Sequence, residues 1–185
     1  MIATTTNSTR IGNSRFVISS NTIYIGDDNV LSIGGYVAWS NLSDGRTKKS
    51  IRQNVPGLDF INKLQPVTYN FNLDIADSLL NGKKTENMLA SLSKEENAAR
   101  EAKEKQLYSG FVAQDVERVA LSIGYDFSGI DVDEKGVYSL RYLEFVMPLV
   151  KAVKELNDKN EKLKDQVNKL SELVDLLLKK RASSH

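Results

Sequence analysis

The chain contains no cysteine, and its single histidine, His185, is the last residue. Without cysteine there is no disulfide, no thiolate nucleophile and no thiolate metal site, although the compartment is left open. One terminal histidine makes a zinc site improbable, and no metal or other cofactor is expected. Charge of one sign is also lacking: 25 Lys and Arg face 24 Asp and Glu, a net charge of +1. That balance leaves no electrostatic footprint for nucleic acid. No apolar run approaches the ~20 residues of a membrane helix, so no membrane partner is expected. The opening Met1-Ile2-Ala3-Thr4-Thr5-Thr6 has no basic region followed by an apolar core, so it does not read as a signal peptide. It reads as a boundary inside a longer protein.

What is present falls into three stretches: 1–42, 43–140 and 141–185. A length of 185 residues suits one domain with extensions, or two small units. Residues 1–42 are rich in Thr, Ser, Asn and Gly. Short β-branched runs at Arg15-Phe16-Val17-Ile18 and Thr22-Ile23-Tyr24-Ile25 predict strands, bracketed by turns at Gly12-Asn13-Ser14, Gly26-Asp27-Asp28-Asn29 and Gly34-Gly35. Ile11-Gly12-Asn13 is echoed by Ile25-Gly26-Asp27, but two copies do not establish a repeat. With few large apolar residues this segment cannot build a private core. A β-stalk whose core is shared between chains is the more plausible reading.

From residue 43 the composition becomes globular. Leu58, Ile61 and Leu64 have helical spacing, and Pro66 should end that helix. Val67-Thr68-Tyr69-Asn70-Phe71 alternates like a strand, and Ser109-Gly110-Phe111-Val112 reads as another. Gln114 to Ser122 predicts a helix with Val116, Val119 and Ala120 inward, and Gly124 and Gly129 mark loops. Residues 81–106, rich in Lys, Glu and Ala, read as an exposed helix or a mobile insertion.

The last third carries a heptad pattern. Val146, Val153, Asn160, Val167 and Val174 form one seven-residue series; Leu149, Leu156, Leu163, Leu170 and Leu177 form the other. These are the a and d positions of a coiled coil, with Asn160 setting register at some cost in stability. At roughly 2 kcal/mol per buried side chain, the nine apolar members could contribute about 18 kcal/mol gross per chain, before entropy. Folding back onto the same chain would bury one face; five unbroken heptads favour self-association. Pro148 should begin the long helix or kink it. Val at a with Leu at d permits dimers or trimers, and a shared-core stalk favours a homotrimer. The fold class expected is α+β: a short β-stalk, a small mixed domain and a long C-terminal coiled-coil helix.

The stretch Ser43-Asp44-Gly45-Arg46-Thr47-Lys48 carries the chemistry. A serine needs a base to become a nucleophile, and a neutral lysine can be that base. Ser-Lys is almost the only nucleophile and base pairing the composition allows. Residues five apart lie about 140° apart around a helix and on opposite faces of a strand, so neither element would unite them. Ser-Asp-Gly is turn chemistry, and a turn could fold Lys48 back onto Ser43. The lysine could instead come from a neighbouring chain, and a solvated basic loop with no chemistry has the same composition.

Three blocks, in order, resemble the endosialidase-type intramolecular chaperone family, self-cleaving serine peptidases at the C-termini of phage tail spikes and fibres, with relatives in bacterial surface proteins and a eukaryotic transcription factor. They are Ser43-Asp44-x-Arg46-x-Lys48-x-x-Ile51 followed by Leu64-x-Pro66-Val67-x-Tyr69; Gly110-Phe111-Val112-Ala113-Gln114-Asp115-Val116; and Tyr138-x-Leu140 through Pro148-Leu149-Val150-Lys151-Ala152-Val153-Lys154-Glu155-Leu156. The resemblance covers about residues 36–156. Thr47, where an aliphatic residue is usual, and the long insert near 75–106 depart from the pattern.

The resemblance implies a domain that helps three chains fold the β-rich stalk upstream in the same polypeptide. It then releases itself by cutting the bond before the motif serine, here Leu42–Ser43, with Ser43 as nucleophile and Lys48 as base. Assembly of the trimer is expected to bring serine, lysine and scissile carbonyl into line. Lys48 needs burial or a positive neighbour to act as a base; Arg46 could be that neighbour, with Asp44 orienting a backbone amide or a partner lysine. Gln114 is expected to support the fold by bonding backbone in the interior, and Leu64, Tyr69, Phe111, Val112 and Val116 to be core. The implied setting is a phage tail fibre or spike, or a bacterial surface protein, made in the bacterial cytoplasm. Two alternatives are a non-cleaving trimerisation module of a fibre or adhesin, and a module that releases a nucleic-acid-binding partner, which the stalk-like composition before Ser43 disfavours.

Overall fold

The computed structural model describes residues 7–11, 21–26, 30, 32–81 and 89–183. The expected strand at 15–18 lies outside them, as do residues 82–88. The described chain is mixed α/β, with three two-stranded sheets and a long C-terminal helix. Interleaved segments form two compact units: one from 1–52, 65–115 and 130–140, the other from 53–64, 116–129 and 141–185.

In the first unit, β1 (Thr9–Ile11) and β2 (Ile23–Ile25) pair in parallel, with Thr9 opposite Ile23 and Ile11 opposite Ile25. The two isoleucines of the sequence echo are therefore register partners. Two antiparallel pairs follow. β3 (Val67–Tyr69) and β4 (Tyr108–Gly110) carry stacked and edge-on contacts among Tyr69, Phe71 and Tyr108, with centroids 5.0–5.8 Å apart. β5 (Ile130–Val132) and β6 (Tyr138–Leu140) form a hairpin closed by Asp133, whose carboxylate accepts the amides of Lys135 and Val137 at 2.8 Å.

Between β3 and β4 lie helices α2 (Leu73–Asn81) and α3 (Lys94–Glu104). The exposed helix expected over 81–106 is present from Lys94 to Glu104, mostly exposed but held by one buried residue. α3 starts in a capping box of Ser93 and Glu96, and Glu104 accepts the Leu73 amide at 2.8 Å. Arg100 is buried and reaches Asp77 at 2.8 Å and Asp74 at 3.0 Å. A charge anchors this helix where apolar residues are scarce.

The second unit is built on aromatic residues. α1 (Leu58–Ile61) buries Phe60 completely among Tyr125, Phe127 and Phe145, with centroids 5.0–6.3 Å away. The helix stops at Ile61, earlier than the spacing to Leu64 suggests; a turn over Asn62 and Lys63 still brings Leu64 into the core. α4 (Ala113–Ser122) buries Val116 and Ala120. α5 (Val146–Ala182) follows a 3₁₀ turn at Tyr142–Phe145. Pro148 falls in its first turn, where its missing N–H has no helical partner to lose, so it begins the helix.

Pro148 and Ala152 are buried where α1 packs against α5. Glu155 accepts the Leu58 amide at 2.8 Å and so caps α1 from another helix. Only glycine permits this approach at position 57: a Cβ there would lie 2.7 Å from the Glu155 carboxylate and 2.8 Å from the Ala152 nitrogen. The residues of both heptad series lie on exposed surface of α5, from Val146 to Leu177.

Candidate functional site

Asp44 organises the segment around Ser43. It caps a 3₁₀ turn at Gly45–Thr47, its carboxylate accepting the Arg46 amide at 2.9 Å. The Asp44 carbonyl accepts the Thr47 amide at 3.0 Å and the Thr47 hydroxyl at 2.7 Å. That second bond gives Thr47 a polar task at a place where the family pattern is aliphatic. The Lys48 amide closes the turn on the Gly45 carbonyl at 3.1 Å. The turn shortens the path between residues 43 and 48, so that Lys48 Nζ donates to Ser43 Oγ at 2.9 Å.

The union of Ser43 and Lys48 is therefore a property of one chain. This corrects the expectation that docking of partner subunits brings them together. Arg46 is also placed differently from its expected use. It forms a forked pair with Asp44, Nε at 3.1 Å from both oxygens and a terminal nitrogen 2.6 Å from one. The guanidinium holds the Asp44 carboxyl below its usual range, and Asp44 raises Arg46 in return. The charge of Arg46 is thus matched by Asp44, while the backbone-orienting part expected of Asp44 is present. Leu42, Ser43 and Lys48 are exposed. Beyond them Ser50 has a φ of 52°, a left-handed reversal that serine adopts at a cost of order 1–3 kcal/mol. No pattern of residue types signalled that reversal.

Gln114 does not sit in the interior. It is exposed, because it precedes buried Val116 by two residues and so lies on the opposite side of α4. Val112 is likewise exposed, in the link between β4 and α4, whereas Leu64 and Val116 are core and Tyr69 and Phe111 are half-buried. Among the described residues no group of acidic and histidine side chains could hold a metal, and no helix is long and apolar enough to cross a membrane.

A family model described as chaperone of endosialidase matches residues 43–125, opening on Ser43 itself. This segment belongs to the chaperone-of-endosialidase family. The match supports a chaperone role for this segment, and the family's name among the peptidases relates it to serine peptidases. No curated protein matches the chain. The family segment takes in the Ser43 turn, α1, the β3–β4 pair and α4, and ends before the long helix.

Proposed function

We propose that the chain is an intramolecular chaperone that associates as a homotrimer, assists folding of the β-rich stalk preceding it, and then frees itself by cutting Leu42–Ser43. The 2.9 Å contact of Lys48 with the first hydroxyl of the family segment is the observation that carries this reading. Three copies of α5 join along the valine and leucine series, which raises the effective concentration of the stalk segments for one another. Strand pairing between distant segments is slow, because loop closure must come first, and a pre-aligned trimer removes much of that cost. Loss of the chaperone after folding leaves the stalk without its unfolding route. A phage tail fibre or spike, or a bacterial surface fibre, is the setting this supports.

In the cutting step Lys48, as the neutral amine, takes the proton from Ser43 Oγ as the oxygen attacks the carbonyl carbon of Leu42. A five-membered ring forms through Oγ, Cβ, Cα and N of Ser43. The proton passes to the Ser43 nitrogen, the C–N bond breaks, and the Leu42 acyl group is left as an ester on Oγ. Water then hydrolyses the ester, giving a carboxylate at Leu42 and a free amine and hydroxyl at Ser43. No cofactor enters the balance.

Mass spectrometry of freshly purified protein tests the step. A fragment beginning at Ser43 is expected from the wild type, and none from Ser43→Ala or Lys48→Ala, both of which still form trimers. The second reading, a non-cleaving trimerisation module, is favoured by the exposure of Ser43 and Lys48. An intact wild-type mass that persists for days in a purified trimer would select it.

A further inference from the structure

We propose that residues 37–39 add to β2 as a third parallel rung, making the stalk end a solenoid with a 14-residue repeat. Four observations set the period. Ile11 pairs with Ile25 and Thr9 with Ile23, each 14 residues apart. Asn7 donates its side-chain amide to the Asn21 side-chain oxygen at 3.0 Å, again 14 apart. Both asparagines hold a left-handed backbone, φ 52° and 59°. The ladder continues at its ends, with the Thr9 amide on the Thr22 carbonyl and the Gly26 amide on the Ile11 carbonyl.

One period further on stand Gly35, Val37, Ala38 and Trp39, aligned with Asn21, Ile23, Tyr24 and Ile25. Gly35 takes the place of the two asparagines; its φ is outside the left-handed region in the unpaired chain, and glycine can enter that region on pairing more readily than any other residue. The β-branched and aromatic types at 37 and 39 suit a strand. Val37 follows Ile25 by twelve positions, as Ile23 follows Ile11, so the same length of chain can reach the same edge. In the single chain residues 37–39 are not paired, and Val37 and Trp39 are 86% and 84% exposed. A lone rung has no second layer to cover these side chains; neighbouring subunits supply one.

The repeat departs at Ser40, where Gly12 and Gly26 stood, so the corner that begins another turn is missing. The chain leaves the stack there and reaches Leu42 three residues after Trp39. Closure of the third rung thus fixes the backbone just before the scissile bond. This last link rests on the cleavage proposed above; the rung itself does not.

The absence of native cysteine makes disulfide trapping clean. In the full chain carrying Lys48→Ala to prevent cutting, Ile23→Cys with Val37→Cys should form a disulfide within one chain under mild oxidation, as should the control Thr9→Cys with Ile23→Cys. Ile23→Cys with Ala38→Cys, one residue out of register, should link at least tenfold more slowly. Failure of the 23–37 pair while 9–23 links, or a 23–37 link only between chains, overturns the rung whether or not the wild type is ever cut. Gly35→Val should slow both the trapping and, in the cutting-competent chain, release at Ser43 by tenfold or more, and Gly35→Asn should spare both. Trapping lost with release unchanged would remove the link to cutting.

Discussion

The exposed seam of α5 offers the most quantitative test of assembly. Leu163 and Leu170 are 57% and 62% exposed on the single chain. Full burial of a leucine is worth about 2 kcal/mol, so covering these remaining fractions contributes about 1.2 kcal/mol at each position. Replacing both by alanine in all three chains therefore removes roughly 7 kcal/mol, before any cavity term. The trimer association constant should fall by a factor of about 10⁵. For a three-body equilibrium the midpoint concentration varies as the inverse square root of that constant, giving a rise of roughly 300-fold. Alanine is the best helix former, so the helix itself should persist. Sedimentation velocity from nanomolar to high micromolar concentration would measure the midpoint, with Lys162→Ala and Lys169→Ala as controls on the same turns. A wild-type chain that sediments as a monomer at micromolar concentration would refute the assembly. An unchanged midpoint in the double-alanine variant would show that this seam is not the contact.

Two further outcomes follow from the charged groups. Arg100→Met leaves Asp77 buried without its ion-pair partner and should cost about 3–5 kcal/mol in urea unfolding, while adding Asp77→Leu should recover a large part. Asp44 has its folded value below the ordinary 3.8, so its contribution to the turn is complete above that pH and is lost as pH falls through the lower folded value. Amide exchange should find the Arg46 N–H protected at neutral pH and unprotected in strong acid, and unprotected at every pH in Asp44→Ala.

The turn around Ser43 was legible because its logic is local: Asp44, Gly45 and Thr47 act on backbone groups within four residues. α4 was legible because Val116 and Ala120 mark one face of a short helix. The extent of α5 was legible too, since the heptad residues continue without a break from Val146 to Leu177. Arg100 was not. In a window rich in Lys and Glu a buried guanidinium looks like any solvated one, and its partners Asp74 and Asp77 lie on another helix. The β5–β6 hairpin has three-residue strands, too short for alternation to declare itself. Val112 and Gln114 depart from the expected burial for a single reason: the chain passes from strand to link to helix across this contiguous motif, and the inward face changes at each step.

Under the proposed function, the single chain already holding Ser43 against Lys48 changes what assembly would have to accomplish. If the two groups met only between subunits, timing would follow from docking alone. Since they meet within one turn, any dependence of cutting on assembly must act on what the turn lacks. One such factor is exclusion of water, since both side chains are exposed and a lysine works as a base only when neutral, a state that burial favours. The other is the pose of the Leu42 carbonyl, because attack requires the reacting atoms near van der Waals contact and in line. The two can be separated by experiment. Tying residue 37 to residue 23 fixes the backbone ahead of Leu42 without burying Lys48, whereas weakening the helix seam removes subunit cover and leaves that tie intact. If cutting at neutral pH survives loss of the seam once the tie is made, pose is the control. If it fails there, subunit cover of the exposed pair is the control.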